Sequence, residues 1–421
     1  MPLFGRASSK DLAAQPPAEP APRPLPRDVE GCRDHLLAQV HSLRPFGIGL
    51  RDACGLTLCE SIASDLDLPV FTSATVDGYA VRASNLVGAA PGHPIALPLV
   101  GRSMVGDNLG PSLSAGTAVR VDAFAPVPEG ADALVPLDRG VEGPDSVQFS
   151  AEAAFHDHLS LAGSRVADGD PLLSAGTVLD PRMIAMLAEV GLDKVLARPK
   201  PRAVVGAIGA DLADPGLPLT RLTQTYDAAT PMIAAAAGAD GAQTFPIGVL
   251  PTDKAELSRA LSEQLVRADL VVLAADLTPE LVEVFRGLGP VETGELDMTP
   301  GGTLLFGFIG SENVPLLVLP GDTIGAYVAY EVFGRPIVRS LAGVTPCLRE
   351  TTKQRVSEAL PYDESRTQLL PAIHGSRGVA PIPLPADAGG VELAYANALI
   401  IVPPGQRVDV GDDADCWLLD A

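Results

Sequence analysis

The feature that most constrains the fold is an alternation of short apolar segments and helical segments over residues 202–341. AVVGAI, AQTFPIGV, DLVVLAA and PLLVLPG are apolar runs of strand length, and PMIAAAAGA, DKAELSRALSEQLVRA and TPELVEVFRGLG have helical apolar spacing. Strands that alternate with helices form parallel sheets covered on both faces. We therefore predict a mostly parallel α/β sheet domain over residues 201–344, closed by a helix in IGAYVAYEVFGRPIVRSLAG.

The flanking segments have different compositions. Residues 1–27 are rich in Pro and Ala, which predicts a disordered tail. Residues 65–144 alternate short β-like runs with Gly/Pro turns, which predicts a β-rich domain. Residues 345–421 are again short strands and turns, which predicts a C-terminal β-barrel-like domain. We also predict helices in VEGCRDHLLAQVHSL and after Asp180-Pro181.

Charge and apolar content exclude several classes of partner. The net charge of -22 repels phosphate backbones and anionic lipid, so we expect neither nucleic acid nor a membrane surface as the main partner. No apolar run approaches the ~20 residues of a membrane span, and the first residues have no apolar signal core. The five cysteines are scattered. Together these features predict reduced thiols and a cytoplasmic protein.

A ligand site is expected at the carboxyl ends of the predicted parallel strands. Four loops lie there, and each carries an aspartate: Gly209-Ala210-Asp211, Pro251-Thr252-Asp253, Asp276-Leu277-Thr278 and Pro320-Gly321-Asp322-Thr323. Mg²⁺ takes one or two protein carboxylates and borrows its other ligands from phosphate and water. We therefore expect Asp211, Asp253 and Asp276 to hold a magnesium ion that bridges to a phosphate-bearing small molecule. Helix capping stays an open alternative, because Asp253 and Thr278 also suit N-caps.

Six stretches, in order along the chain, resemble the molybdenum insertase family (molybdopterin molybdenumtransferase), to which the C-terminal domain of gephyrin is also similar. LPVFTSATVDGYAVR resembles P-x-F-x-N-S-A-M-D-G-Y-A-V, and VRVDAFAPVPEGADALVPLD resembles I-x-T-G-A-x-x-P-x-G-A-D-A-V-V. PRAVVGAIGADL stands where the family has P-x-V-x-x-x-S-T-G-D-E-L, and TPGGTLLFG where it has K-P-G-K-P-x-x-F-G. LPGDTIGA matches L-P-G-N-P-V-S-A, and SRTQLLPA with ANALIIVPPG resembles G-R-T-E-F and A-N-G-L-I-x-L-P.

The resemblance implies a homodimer of four-domain subunits, in which residues 28–64 plus 145–200 form an elongated linking domain. It implies an enzyme that takes adenylylated molybdopterin and molybdate, releases AMP and inserts the metal with the help of Mg²⁺. The active site would lie between the sheet domain of one subunit and the β-rich domain of the other. A molybdoenzyme or another cofactor-biosynthesis protein would be a further partner.

The same resemblance assigns roles to individual residues. Asp77 would face the partner's sheet and hold molybdate or water, acting with Asp211 and Asp253, while Gly78 would let the backbone approach the ligand. An ordinary hairpin turn is the alternative for Asp77-Gly78. Further cofactor-binding positions carried over from the matching motifs are Gly209, Gly301, Thr303, Pro320, Gly321 and Asp322.

Several positions depart from the family pattern. The glycine-rich loop expected after VVLAAD is several residues shorter, and both lysines of K-P-G-K-P are replaced. Each lost charge-assisted bond to an anionic nucleotide would weaken binding by ~1.5–3 kcal/mol. The replacing residues are Thr299 and Gly302 for lysine, Asp322 and Thr323 for Asn-Pro, Ala123 for threonine, Arg165 for aspartate and Asp211 for glutamate.

Two functions remain open on the sequence. One is a working insertase with an altered site. The other is a catalytically impaired paralogue that binds a pterin cofactor or serves as a molybdoenzyme maturation scaffold. A metal clip at His156-Asp157-His158 is the weaker alternative to a solvated loop, because the pair lacks a third ligand.

Overall fold

The computed structural model describes residues 24–108, 112–385 and 388–419. Two compact units make up the chain: Pro45–Ala197 form one, and Met1–Arg44 with Arg198–Ala421 form the other. In the described ranges, no helix has both the length and the apolar character needed to cross a membrane. All five cysteines are free thiols.

Helices occur in both units. They are α1 Val29–Gln39, α2 Leu50–Ala53, α3 Pro181–Glu189, α4 Ala229–Ala239, α5 Lys254–Leu265, α6 Pro279–Arg286, α7 Thr323–Ala329, α8 Arg335–Leu341 and α9 Gly390–Leu393. A π-helical turn at Tyr330–Gly334 joins α7 to α8, and single 3₁₀ turns lie at Ala83–Leu86 and Leu137–Arg139. The predicted helices after Asp28 and after Asp180 are confirmed, and both aspartates cap their helices.

The unit Pro45–Ala197 is built mostly from short strands, which agrees with the β-rich character predicted for residues 65–144. They are β1 Phe46–Gly49, β2 Ile62–Ala63, β3 Ser73–Ala74, β4 Gly78–Val81, β5 Ile95–Ser103, β6 Ala118–Val121, β7 Ala133–Pro136, β8 Gly140–Glu142, β9 Ser146–Phe149, β10 Leu159–Ser160, β11 Pro171–Leu173 and β12 Lys194–Ala197. Six of them form one sheet in the order β7-β4-β6-β5-β9-β8, and the others pair as β1-β12, β3-β10 and β2-β11.

The second unit contains two larger sheets. Its strands are β13 Arg202–Ile208, β14 Leu212–Ala213, β15 Thr225–Tyr226, β16 Gln243–Leu250, β17 Leu270–Ala275, β18 Val291–Glu295, β19 Met298–Thr299, β20 Thr303–Ile309, β21 Val314–Leu319, β22 Thr352–Arg355, β23 Thr367–Gly375, β24 Gly378–Pro381, β25 Ala398–Val402 and β26 Asp413–Leu418.

The first of these sheets confirms the predicted α/β domain. Its order is β16-β13-β17-β21-β20-β18, in which the first four strands are parallel, β20 is antiparallel to both of its neighbours, and β18 therefore runs in the same direction as the first four. One face packs under α4, α7 and α8 and the other under α5 and α6, so both faces are buried. Periodicity identified neither β18 nor β20: VETGE of β18 has little apolar character, and the apolar run TLLFGFI of β20 was considered only as part of a family motif.

The second sheet, in the order β19-β23-β25-β26-β22 with β24 paired to β23, confirms a β-rich C-terminal region. Leu369, Leu399 and Trp417 from this sheet share a core with the α4–α7–α8 face of the α/β sheet. The finer division into four domains stays a prediction.

Helix α1 packs against α8, and its residues Cys32 and Leu36 are buried in the core that α4, α7 and α8 form with the α/β sheet.

The predicted disordered tail covers residues that mostly lie outside the described ranges. For residues 24–27 the prediction does not hold, because Leu25 is only 3% exposed. Its backbone N–H donates to Thr293 O at 3.3 Å, along the edge strand β18, and its side chain lies over Gly294. Arg27 pairs with Asp297 at 2.6 Å.

A buried ionic network joins the C-terminal sheet to the α/β domain. Glu331, in the π-helical turn, is 4% exposed and accepts two bonds from Arg349, at 2.7 and 3.1 Å. Arg349 also donates to Leu418 O at the end of β26. Because removal of one partner leaves a buried charge without compensation, such a pair is sensitive to single substitutions.

The network continues through the end of α4. Asp240 accepts from the Tyr330 hydroxyl at 2.8 Å, and burial raises the pKa of Tyr330, which keeps that hydroxyl protonated as a donor. Arg335 Nε lies 3.0 Å from Asp240 Oδ1 without hydrogen-bond geometry, so this contact is an ion pair only. Two carboxylates and two guanidinium groups therefore balance inside the domain.

We predict that Arg349→Met lowers the free energy of unfolding by about 3–5 kcal/mol, because it strands the buried Glu331 carboxylate. The matched control is Lys353→Met, which breaks an exposed pair with Asp415 in the same sheet and should lower it by less than about 1 kcal/mol. Thermal and urea unfolding of the two variants measure the difference. Equal effects would contradict the assignment of Arg349 to a buried network.

Candidate functional site

A cavity of about 580 Å³ lies at the carboxyl ends of the parallel strands. The cavity is lined by the end of β13, by residues that follow β13, β16 and β17, and by the first residues of α5 and first two turns of α6. These residues are Ile208, Gly209, Ala210, Thr252, Lys254, Asp276, Thr278, Glu280, Leu281 and Val284. The chain forms the site here because parallel strands all end at one edge, where the positive ends of the following helices also point.

The charged groups of the cavity are one ammonium and two carboxylates. Lys254 is the first residue of α5, Glu280 belongs to the first turn of α6, and Asp276 directly follows β17. Thr252 and Thr278 add hydroxyl groups. The sequence motifs did not indicate Lys254 or Thr252, although Thr252 belongs to the predicted strand-end loop Pro251-Thr252-Asp253 and Lys254 directly follows it.

Asp276 lies against the loop that follows β21. A Cβ atom on Gly321 would lie 2.6 Å from Asp276 Oδ1 and 3.1 Å from its backbone nitrogen, so only glycine leaves room for this carboxylate. Pro320 is buried directly before it. The predicted residues Asp276, Pro320 and Gly321 are therefore brought together at the strand ends.

Two of the predicted loop aspartates cap helices. Asp253 Oδ1 accepts from the N–H groups of Ala255 and Glu256, both at 3.0 Å, at the start of α5. Asp322 Oδ1 accepts from Gly325 N at 2.6 Å at the start of α7. Each carboxylate is directed back to its own helix, which is the capping alternative left open by the sequence.

Asp211 has partners of its own. Its Oδ1 lies 3.3 Å from Arg221 Nη1 and 3.2 Å from Thr223 Oγ1, and its side chain is 58% exposed. In the part of the chain that the structure describes, no group of three or more His, Cys, Asp or Glu side chains is placed to hold a metal. Asp211, Asp253 and Asp276 are therefore not gathered into a preformed metal centre.

The other predicted glycines have local structural reasons. Gly301 has a φ of +86°, and a Cβ there would lie 2.7 Å from Gly325 O in α7. A Cβ on Gly209 would meet the Leu212 side chain at 2.9 Å. Thr303 lines a second cavity, of about 550 Å³, on the other side of α6 together with Leu25.

Asp77 and Gly78 lie in the unit Pro45–Ala197. Gly78 begins β4 and is not part of a hairpin turn, and a Cβ there would lie 2.4 Å from Val135 O on the neighbouring strand β7. Asp77 is exposed, and its Oδ1 accepts from Ala123 N at 2.7 Å. The close approach at Gly78 is thus between two strands, while the Asp77 carboxylate faces solvent.

The fold and the cavity define a multidomain α/β protein with a ligand-sized opening at a sheet edge. A family model described as "MoeA N-terminal region (domain I and II)" matches residues 27–191. Molybdopterin molybdenumtransferase 2 of Mycobacterium tuberculosis is 31% identical over 404 residues, which cover 93% of this chain and 99% of that protein. Molybdopterin molybdenumtransferase of Staphylococcus aureus is 25% identical over 91% of this chain and 93% of that protein.

A solved structure shows the same fold. The crystal structure of a molybdopterin biosynthesis MoeA protein from Pyrococcus horikoshii has a TM-score of 0.82 and 23% identity, over 94% of this chain and 99% of that chain. The sequence relatives establish the family: the chain belongs to the molybdopterin molybdenumtransferase family. The resemblance found in the sequence motifs is therefore confirmed.

We predict that Gly321→Ala lowers the free energy of unfolding by about 1–3 kcal/mol, because the added methyl group collides with both the carboxylate and the backbone of Asp276. Gly238→Ala is the matched control. No heavy atom lies within 4 Å of its added Cβ, and the helical position in α4 should gain about 0.5–1 kcal/mol. Thermal unfolding measures whether the two substitutions change the free energy of unfolding in opposite directions. A Gly321→Ala variant as stable as the wild type would contradict the close contact with Asp276.

Proposed function

We propose that the chain acts in molybdenum cofactor biosynthesis as a molybdopterin molybdenumtransferase, which inserts molybdenum from molybdate into adenylylated molybdopterin and releases AMP. The cavity at the strand ends, with Lys254 and Asp276 in its wall, is the observation that carries the proposal. The relatives that bear this enzyme's name align with more than nine-tenths of the chain, which supports it.

In this proposal the cavity binds the phosphate-bearing part of the nucleotide. Lys254 contributes the positive charge, and the first turns of α5 and α6 contribute the positive ends of two helix dipoles. Thr252 and Thr278 offer hydroxyl donors. Lys254 would thus take over part of the task of the lysines that Thr299 and Gly302 replace.

The donor set of the cavity fits a magnesium ion that takes few ligands from protein. Asp276 and Glu280 would hold it, since Mg²⁺ needs one or two carboxylates and completes its shell with phosphate and water. The Asp276 carboxylate occupies the space beside Gly321 and belongs to the cavity wall, which places it to be one of these ligands. When bound, the ion would neutralise phosphate charge. Asp211 and Asp253 would have to leave their present partners to join it.

We further propose a cytoplasmic homodimer in which Asp77 faces the cavity of the neighbouring subunit and holds molybdate or water. The exposed carboxylate, fixed by one bond to Ala123 N, is free to accept further hydrogen bonds on its second oxygen. Its role is then to orient the attacking water, or molybdate through an intervening water, because an ionised carboxylate accepts hydrogen bonds and repels an anion in direct contact.

A catalytically impaired paralogue that binds pterin cofactor, or serves as a molybdoenzyme maturation scaffold, is the second candidate. It is favoured by the bonds that already engage Asp211, Asp253 and Asp322, which leave Asp276 and Glu280 as the carboxylates of the cavity. A scaffold would bind the nucleotide without cleaving it.

We predict that the purified protein, given adenylylated molybdopterin, molybdate and Mg²⁺, releases AMP. Lys254→Met should raise KM for the nucleotide about 10–100-fold, because one charge-assisted bond is lost. Lys194→Met, at an exposed lysine in the other unit, should leave KM unchanged. The KM values of the two variants are obtained from the rate of AMP release, measured by chromatography.

Two results would contradict the transferase. If no AMP forms while the nucleotide still binds, the scaffold function replaces it. If Lys254→Met and Lys194→Met have the same KM, the phosphate-bearing part does not lie in this cavity.

A further inference from the structure

Three residues in an uncommon backbone conformation surround the short strand β3. In the described part of the chain four non-glycine residues have a positive φ, and three of them are Phe124 (64°), His156 (63°) and His158 (54°). A bulky side chain in this left-handed region is strained, and such strain concentrates at functional sites. The fourth, Asn313, lies in a turn of the α/β domain.

Both the backbone conformation and the solvent exposure of Phe124 are energetically unfavourable. Its φ of 64° suits glycine, and its side chain is 72% exposed, so the strain is not offset by burial of the ring. A glycine at this position would relieve both effects. An aromatic ring held in water by a strained backbone is therefore available for contact with something outside the chain.

The backbone around Phe124 is held from several sides. Phe124 N donates to Ala74 O at 2.8 Å, and Ala125 O accepts from Ala74 N at 3.1 Å. On the preceding residue, Ala123 N donates to Asp77 Oδ1. These bonds fix the position from which the ring projects, which lowers the entropy lost when a ligand stacks on it.

A second segment with aromatic residues lies on the other side of β3. Thr75 donates to His158 O through both its backbone N–H and its hydroxyl, each at 3.0 Å, so His158 flanks β3 on the side opposite Phe124. Beside it, His156 stacks on Phe155 with 3.8 Å between ring centroids. The backbone of Phe124 and the segment His156–His158 thus lie on the two sides of β3.

The charged residues around β3 indicate the type of ligand that fits there. Asp77 is exposed, and Asp157 lies 3.8 Å from His158 Nε2. Carboxylates repel phosphate but accept hydrogen bonds from ring N–H and amino groups. A nitrogen heterocycle therefore fits the surface around β3 better than the phosphate end of a nucleotide does.

We propose that Phe124 is a stacking platform for a flat, fused nitrogen heterocycle, either the pterin or the adenine ring of the nucleotide substrate. The inference rests on the proposed function, of which it specifies the ring-recognition element. Phe124 would be a specificity residue, which contributes to binding and takes no part in bond breaking.

The test is a titration of the full-length protein with neopterin and, separately, with AMP, followed by calorimetry. Phe124→Gly should weaken binding of the stacked ring about tenfold while Tm stays equal or rises, since glycine relieves the backbone strain. Phe124→Trp should retain or tighten binding. Phe46→Ala, at a 54% exposed phenylalanine of β1, is the matched control and should change neither probe's affinity.

Each outcome decides between alternatives. Loss confined to neopterin identifies the pterin ring, and loss confined to AMP identifies the adenine. The platform is overturned if the wild type binds neither probe, if Phe124→Gly binds both as well as the wild type, or if Phe124→Trp loses affinity like Phe124→Gly. If Phe124→Gly releases AMP with an unchanged KM, the stacking role is also overturned, while the transferase function still holds. If the wild type binds the probes but releases no AMP, the transferase function is overturned, while the stacking role still holds.

Discussion

The parallel arrangement of β16, β13, β17 and β21 is the constraint on which the rest of the structure depends. Parallel strands place their carboxyl ends at one edge, so loops that are far apart in sequence, from Gly209 to Asp276, line one opening, and Gly321 lies against Asp276. Burial of both sheet faces under helices makes this arrangement rigid. The ionic network of Glu331, Arg349, Asp240 and Arg335 then attaches the C-terminal sheet to the same helices.

Competition between local structure and ligand binding decides what the loop aspartates do. An aspartate at the end of a loop can satisfy the unpaired N–H groups of the next helix or remain open to a ligand. Asp253 and Asp322 cap their helices. Asp276 precedes α6 by three residues, and since Thr278 caps that helix, Asp276 lines the cavity. In the loop before α6 the capping residue Thr278 therefore leaves the Asp276 carboxylate available to a ligand.

Four of the six strands of the sheet, its covering helices and an opening at the strand ends could be predicted from the sequence, because apolar periodicity and strand-end geometry are local or topological properties. The antiparallel strand β20 and the edge strand β18 were not predicted, and neither was the burial of Leu25, which depends on the distant edge strand at Thr293. Within the site, the pattern placed Asp276 and Gly321 correctly at the strand ends. It could not tell that Asp211 would pair with Arg221 or that Thr252 would line the cavity beside a capping Asp253, because both depend on side-chain direction.

The central claim is that the substrate's phosphate-bearing part lies at the ends of β13, β16 and β17. Hydrogen exchange measured by mass spectrometry, with and without adenylylated molybdopterin, tests it most directly. The account predicts slower exchange in peptides that contain residues 209–212, 251–257 and 275–281. Unchanged exchange in all three, with protection found only beside Leu25 and Thr303 at the second cavity, would contradict it.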